Sequence, residues 1–349
     1  MPPARFLLLD GIGGVPLGRE IAEALQACGH DVVHFDCLKQ QSRRLYGFRS
    51  ACAKAINKHA EKDGFYLLPK LNKRTLTALI EQTQPTHILV VGFIYKFFDP
   101  RELQEIAHTQ KIHLLLYDTD SCNLYGKRRE FIFFVEHELP IYSRIFSFSQ
   151  VTTRFFRNTL RLPAEHLPFG ARPLTLPNAT DPPINVLFVG SGDFRRILLL
   201  ETIKQDVTIY GNRWHRSFPL ISHELQARIT DTPVWDDALY ALLARAKIVL
   251  NITRTDFYGA ETGVNLRIFE TVAAGRFLLT DYCEELEDIF EIGQEIETFS
   301  SSQELVDKVH YYLKNEDKRF AIAQNGHERF MRCHTWRNRI EKLQISITQ

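Results

Sequence analysis

Ala246-Lys-Ile-Val-Leu-Asn-Ile-Thr-Arg254, then Gly263-Val-Asn-Leu-Arg-Ile-Phe-Glu270-Thr-Val-Ala-Ala-Gly275, then Phe277-Leu-Leu-Thr-Asp281: the reading of these three runs decides the fold. The apolar run Lys247 to Ile252 is too short for a helix and does not alternate, the pattern of a strand buried on both faces. Leu266, Phe269 and Ala273 recur at helical spacing behind Gly263 and Asn265, which suit the opening turn of a helix. Phe277 to Thr280 is a second apolar run. Strand, crossover helix and strand, with strands apolar throughout, specify a parallel sheet covered on both sides.

The same unit repeats outward in both directions. Upstream lie Asn185-Val-Leu-Phe-Val-Gly190 as a strand, a Leu-rich helix near 197–203, Val207-Thr-Ile-Tyr-Gly211 as a strand, and a helix over Leu239, Leu242, Leu243 and Ala246. Downstream come an amphipathic helix over Leu305, Val309, Tyr312 and Leu313 and a basic helix from about 318 to 344. A proline-punctuated stretch, Pro163 to Pro183, reads as a linker. Before it the pattern starts afresh: Arg5 to Asp10 as a strand, a loop with Gly11, Gly13, Gly14 and Gly18, and a helix over Leu17, Ile21, Leu25 and Cys28. Further strands fit at Val32 to Phe35, Ile88 to Val91, Ile112 to Tyr117 and Ile145 to Phe148. The segment 41–75, rich in Lys and Arg with interleaved aromatics, reads as a helical insertion. The chain is therefore α/β in two Rossmann-like halves, and its 349 residues exceed what one core usually organises.

Composition excludes several classes. Lys+Arg 43 against Asp+Glu 42 leaves a net charge of +1, so no overall field draws the chain to nucleic acid or an anionic membrane. The local basic stretch Arg43 to Arg49 is either a solvated face or a peripheral contact for an anionic acceptor, lipid head group or nucleic acid. Six cysteines without a CxxC pair read as reduced thiols rather than disulfides or metal ligands. The apolar run Phe6 to Leu9 is too short for a signal sequence or a membrane span, which places the protein in the cytoplasm. The histidines show no metal-site spacing, and no metal or obligatory cofactor is expected.

In open parallel sheets ligands bind beyond the carboxyl ends of the strands, where helix N-termini offer free N–H groups to anions. Two such ends stand out. Val189-Gly190-Ser191-Gly192-Asp193-Phe194-Arg195-Arg196 combines small residues with guanidinium groups that could clamp a phosphate, or is a plain turn with surface arginines. Gly263-Val264-Asn265-Leu266 opens a helix with Glu270 two turns inside it. In the first half, Asp118 and Asp120 follow the strand Ile112 to Tyr117, and Asp10 ends the first strand. Each could be a general base, and each could equally cap a turn. Glycines 11, 13, 14 and 18 match a dinucleotide fingerprint only loosely.

The ordered motifs from Ala246 to Tyr282, with Leu167-Pro-Phe-Gly-Ala171 upstream and His334-Thr-Trp336 downstream, resemble the C-terminal domain of GT-B glycosyltransferases of group 1, and most nearly the CgeB-like group associated with spore maturation. That resemblance implies two Rossmann-like domains facing each other across a cleft: an acceptor domain at 1–172, a nucleotide-sugar domain at 173–325, and a C-terminal helix at 326–349 packing back towards the first. It implies a transferase moving a sugar, hexosyltransferase-like, from a UDP-, GDP- or dTDP-sugar to a hydroxyl of a glycan, protein or small-molecule acceptor. By the same likeness Glu270 accepts hydrogen bonds from the ribose and the amides of Val264, Asn265 and Leu266 hold the diphosphate. Gly190, Ser191 and Arg196 line the phosphate side, Tyr210, Gly211 and Asn212 lie near the nucleoside, and Arg254 faces the cleft.

One departure bears on mechanism. Retaining relatives carry two glutamates with seven residues between them, whereas Glu261 and Glu270 have eight and Thr262 stands at the matching place. An inverting reaction would need a base from the first domain: Asp118, Asp120 or Asp10. The rivals are a non-catalytic nucleotide-sugar-binding or coat-associated protein, a nucleotide-sugar epimerase, and a sugar transferase acting on modified DNA.

Overall fold

The computed structural model describes residues 3–13, 15–56, 65–179 and 181–348. Two units emerge, one formed by the chain up to Pro168 together with the residues from Ile340 on, the other by Phe169–Arg339.

The first unit is built on strands β1 (Arg5–Asp10), β2 (Asp31–Asp36), β3 (His87–Val91), β4 (His113–Asp118), β5 (Arg144–Ser147) and β6 (Ala164–His166), in the order β2-β1-β3-β4-β5-β6. All pairs are parallel. Phe6 through Leu9 are at most 1% exposed, which is why β1 is apolar without alternation. The helix Leu17–Ala27 covers one face through Leu17, Ile21 and Leu25. Pro100–Gln110 starts with proline behind the capping carboxylate of Asp99 and buries Leu103, Ile106 and Ala107. β6 lies inside the stretch read as linker and pairs with β5.

The second unit repeats the design with β7 (Ile184–Val189), β8 (Val207–Tyr210), β9 (Ile229–Thr230), β10 (Ala246–Asn251), β11 (Leu278–Asp281) and β12 (Glu297–Phe299). Their order is β12-β11-β10-β7-β8-β9, again all parallel. One face is packed by the core around Ile197, Leu200, Trp214 and Leu305, the other by Leu239, Leu242 and Leu243.

The continuous basic helix expected from about 318 to 344 is instead two helices, Glu316–Cys333 and Trp336–Thr348. The break is forced by competing hydrogen bonds. The Ala171 amide donates to the His334 carbonyl at 3.4 Å and Trp336 donates to the Ala171 carbonyl at 3.0 Å, so helical pairing stops there. The second helix then joins the first unit, with Ile340 and Leu343 each 2% exposed, Gln344 bonded to His30 and Ser346 to Glu165.

In the insertion, the helix Tyr46–Ile56 forms as expected and is tied down by Tyr46 donating to the Leu68 carbonyl at 2.8 Å. Residues 57–64 and Gly14 lie outside the described residues. Gly11 and Gly18 are needed for internal packing: a Cβ on Gly11 would stand 2.5 Å from the Phe93 carbonyl oxygen, and one on Gly18 would overlap the Asp10 carboxylate.

Candidate functional site

In the second unit β7 pairs with β10 on one side and β8 on the other. Connections leave in opposite directions there, which opens a crevice at the carboxyl ends. The loop after β7 is held open by backbone pairing. Gly190 donates to the Tyr210 carbonyl at 2.9 Å and Gly192 to the Asn212 carbonyl at 2.8 Å, while the Trp214 indole donates to the Gly190 carbonyl at 2.9 Å. Gly211 passes so close to Gly190 that a Cβ would overlap its carbonyl oxygen. Tyr210 is half-buried and Asn212 exposed.

The arginines that follow are engaged by acceptors of the protein itself. Arg196 is 8% exposed; it donates to the Ile252 carbonyl from Nε at 2.8 Å and Nη2 at 2.7 Å, and to the Ser191 carbonyl from Nη1 at 2.9 Å. Burial first, and the nearby Arg254 charge second, push this guanidinium down to about 10. Arg195 Nη1 donates to Asp281 at 2.6 Å and the Thr253 carbonyl at 2.9 Å, and its guanidinium lies 3.6 Å from the centre of the Tyr258 ring. Arg196, expected on the phosphate side, is thus engaged by backbone carbonyls of the two loops. Carbonyls beyond a strand end lack ladder partners and need donors, and Arg195 and Arg196 supply them, fastening the loop after β7 to the loop after β10. Asp193 caps the helix Phe194–Glu201 through the Arg195 amide at 3.1 Å and accepts from the Thr255 hydroxyl at 2.9 Å. Arg254 stays exposed, its guanidinium 5.5 Å above Phe257.

Beside this frame the helix Leu266–Ala273 begins. Asn265 caps it, its Oδ1 accepting from the Arg267 amide at 3.0 Å while its Nδ2 donates to Asn251 Oδ1 at 3.0 Å. The Asn265 amide itself turns inward to the Gly263 carbonyl at 2.8 Å. Among the described residues no acceptor meets the amides of Val264 and Leu266; Leu266 is half-buried, whereas Val264 is 0% exposed. Gly263 fits where a Cβ would lie 3.0 Å from Thr253 Oγ1 and 3.2 Å from Cys283 Sγ.

Glu270, 8% exposed, has Arg267 Nη1 at 2.7 Å from its Oε2. Burial raises its carboxyl, Arg267 pulls it back, and Asp236 adds to the rise. The pair is close in distance but poorly aligned: Arg267 Nε and Nη1 are buried without a hydrogen-bond acceptor. The guanidinium lies 5.9 Å from the Trp235 ring centre. Arg267 and Trp235 escaped the sequence reading; the available signal was a lone cation inside an otherwise apolar helical face. Thr262, at the place of the missing glutamate, is 1% exposed and donates to Glu285 at 2.8 Å, whereas Glu261 is exposed.

The three aspartates of the first unit differ sharply. Asp118 is 1% exposed and accepts from the Ser121 amide at 3.0 Å, the Ser121 hydroxyl at 2.7 Å and the Ser147 hydroxyl at 2.9 Å, the turn-closing alternative. Half-buried Asp120 accepts from Asn123 at 2.6 Å. Asp10, 5% exposed, accepts from the Ile12 amide at 3.0 Å and has His34 Nε2 at 3.1 Å. The His34 ring is partly exposed.

Residues 195–344, less than half of the chain, match a family described as glycosyl transferase-like. Among curated proteins none matches the sequence. Anabaena HepE in complex with UDP-glucose superposes with TM-score 0.64 at 12% identity, covering 99% of each chain. An alpha-glucosyltransferase in complex with UDP gives 0.65 at 11% identity, over 99% of this chain and 100% of that one. A sucrose-phosphate synthase from Thermosynechococcus elongatus gives 0.62 at 12% identity, over 99% and 98%. The fold is GT-B. At these identities GT-B describes architecture, and the glycosyl transferase-like match places sequence likeness in the half that carries Glu270 and Arg267.

Proposed function

We propose that the chain is a glycosyltransferase that binds a nucleotide-diphosphate sugar on its second unit and passes the sugar to an acceptor hydroxyl held by the first. The observation that carries this reading is the buried Arg267–Glu270 pair beside the unpaired amide of half-buried Leu266. Glu270 would accept from the ribose hydroxyls, the Leu266 amide and the positive end of the helix would hold phosphate oxygens, and the unaligned donors of Arg267 would find acceptors on the nucleotide. Trp235 offers a flat apolar surface for the base. The glycosyl transferase-like match over 195–344 and the nucleotide complexes of HepE and the alpha-glucosyltransferase support the donor class, and motif order supports a place near the CgeB-like group. Six free cysteines agree with a reducing, cytoplasmic setting.

A thermal-shift screen with UDP-, GDP-, dTDP- and ADP-sugars tests the reading, because a ligand bound only by the folded state raises Tm by mass action. One nucleotide class should stabilise the protein and Glu270→Ala should remove the shift while the ligand-free form stays folded. No shift with any of the four would refute it.

With Asp118 enclosed by its partners, we assign acceptor deprotonation to His34, oriented by Asp10 as a carboxylate orients an imidazole base. His34→Gln should then lower kcat/KM for transfer by about 10²–10⁴ and leave nucleotide affinity unchanged; full activity in the variant would return the role to Asp120.

A further inference from the structure

The helix Tyr46–Ile56 carries its apolar side outward. Ser50 is its one residue classed as buried, and Tyr46 faces the body of the first unit through its bond to the Leu68 carbonyl. Phe48 and Ile56 are 72% and 80% exposed, and Leu45 just before the helix is 71% exposed. At 3.6 residues per turn Phe48, half-buried Cys52 and Ile56 stand within about 80° of arc, on the side away from Ser50. An amphipathic helix normally turns such a stripe into the core. Here a contiguous apolar ridge meets solvent, the mark of a surface that another body covers.

Charge says which body. Arg49, beside this ridge on the helix, and Arg44, just before it, are exposed, and among the described residues neither is ion-paired. Between Asp36 and Glu61 the sequence contains no acidic residue, although the whole chain is nearly neutral. A second copy docking on the same face would set cation against cation across a two-fold axis. An anionic bilayer surface instead takes both features at once: the apolar ridge enters the boundary between head groups and acyl chains, and the cations lie against lipid phosphates.

We propose that this helix is a membrane-surface anchor that seats the first unit on anionic lipid. The attachment is peripheral: among the described residues no helix is long and apolar enough to cross a membrane. It does not depend on which reaction the second unit performs.

Co-sedimentation of the full chain with vesicles of phosphatidylcholine alone, and of phosphatidylcholine with phosphatidylglycerol, tests it. Binding is expected on the mixed vesicles only, weakening as salt rises. Replacing Arg44 and Arg49 together by Gln should weaken it roughly 25-fold, since each cation at an anionic surface contributes about a fivefold factor. Phe48→Ser with Ile56→Ser should weaken it roughly tenfold or more while circular dichroism stays native, because both side chains are exposed. The proposal fails if the folded protein binds neither vesicle, or if the Ser variant binds mixed vesicles as well as the parent. It also fails if analytical ultracentrifugation shows a dimer that Phe48→Ser dissolves, which would make a second copy the occupant.

Discussion

Arg267 and Glu270 form a pair whose two members need each other. Glu270 is raised above its usual 4.5 because burial outweighs the pull of Arg267. A carboxyl raised in the folded state contributes stability that is present below its unfolded value and lost as pH climbs through the folded one. Arg267→Met removes the pull, raises the carboxyl further and leaves a buried charge unpaired at higher pH, at a cost of about 3–5 kcal/mol. The Tm gap between parent and variant should therefore widen from pH 5 to pH 8. Adding Glu270→Gln should close most of it without restoring nucleotide binding. A gap independent of pH would mean that Glu270 is not what Arg267 compensates. The sequence put Glu270 on a helix opened by Gly263 and Asn265, and the structure has it just over one turn into Leu266–Ala273, but nothing in the sequence told that Arg196 would end on the Ile252 and Ser191 carbonyls. A guanidinium serves a strand-end carbonyl and a phosphate with the same N–H geometry.

Among elements, the crevice depends on the loops after β7 and β8 crossing at Gly190 and Gly211. Gly211→Ala would drive a methyl group into the Gly190 carbonyl and should cost about 2–4 kcal/mol, combining overpacking with backbone strain. Gly47, in the exposed helix Tyr46–Ile56 with nothing near its missing Cβ, is the control: Gly47→Ala should be neutral or stabilising by up to about 1 kcal/mol. Denaturant titration of both variants separates a site-specific clash from a general loss of flexibility. The central strands were readable because burial on both faces leaves unbroken apolar runs, as in Leu7 to Leu9 and Ile248 to Leu250. The strands that escaped were β6, β9 and β12, of two or three residues each. All three lie at sheet edges, where one partner suffices and a sequence such as Ala164-Glu-His166 carries no apolar signal. The helix break at His334 was equally hidden, because it is set by pairing with Ala171, far away in sequence.

For the whole molecule, the helix Trp336–Thr348 begins in the second unit and ends in the first. Removing the chain from Ile340 on takes away two side chains that are 2% exposed and should loosen the first unit selectively. All three tryptophans, Trp214, Trp235 and Trp336, belong to the second unit, so indole fluorescence follows that unit while far-UV circular dichroism follows both. The truncated chain should show a new low-temperature step by dichroism that fluorescence misses. Coincident transitions by both probes would show the two units melting as one.

The split composition of the first unit also has a bearing on biosynthesis. Its closing segment is translated only after every residue of the second unit, so the first unit cannot be finished as it leaves the ribosome, as N-terminal domains generally are. Until Ile340 and Leu343 arrive, their apolar seat stays uncovered. A nascent chain stalled, or ended by a premature stop codon, anywhere before them would hand chaperones and proteases a protein with one completed half and one unsealed half.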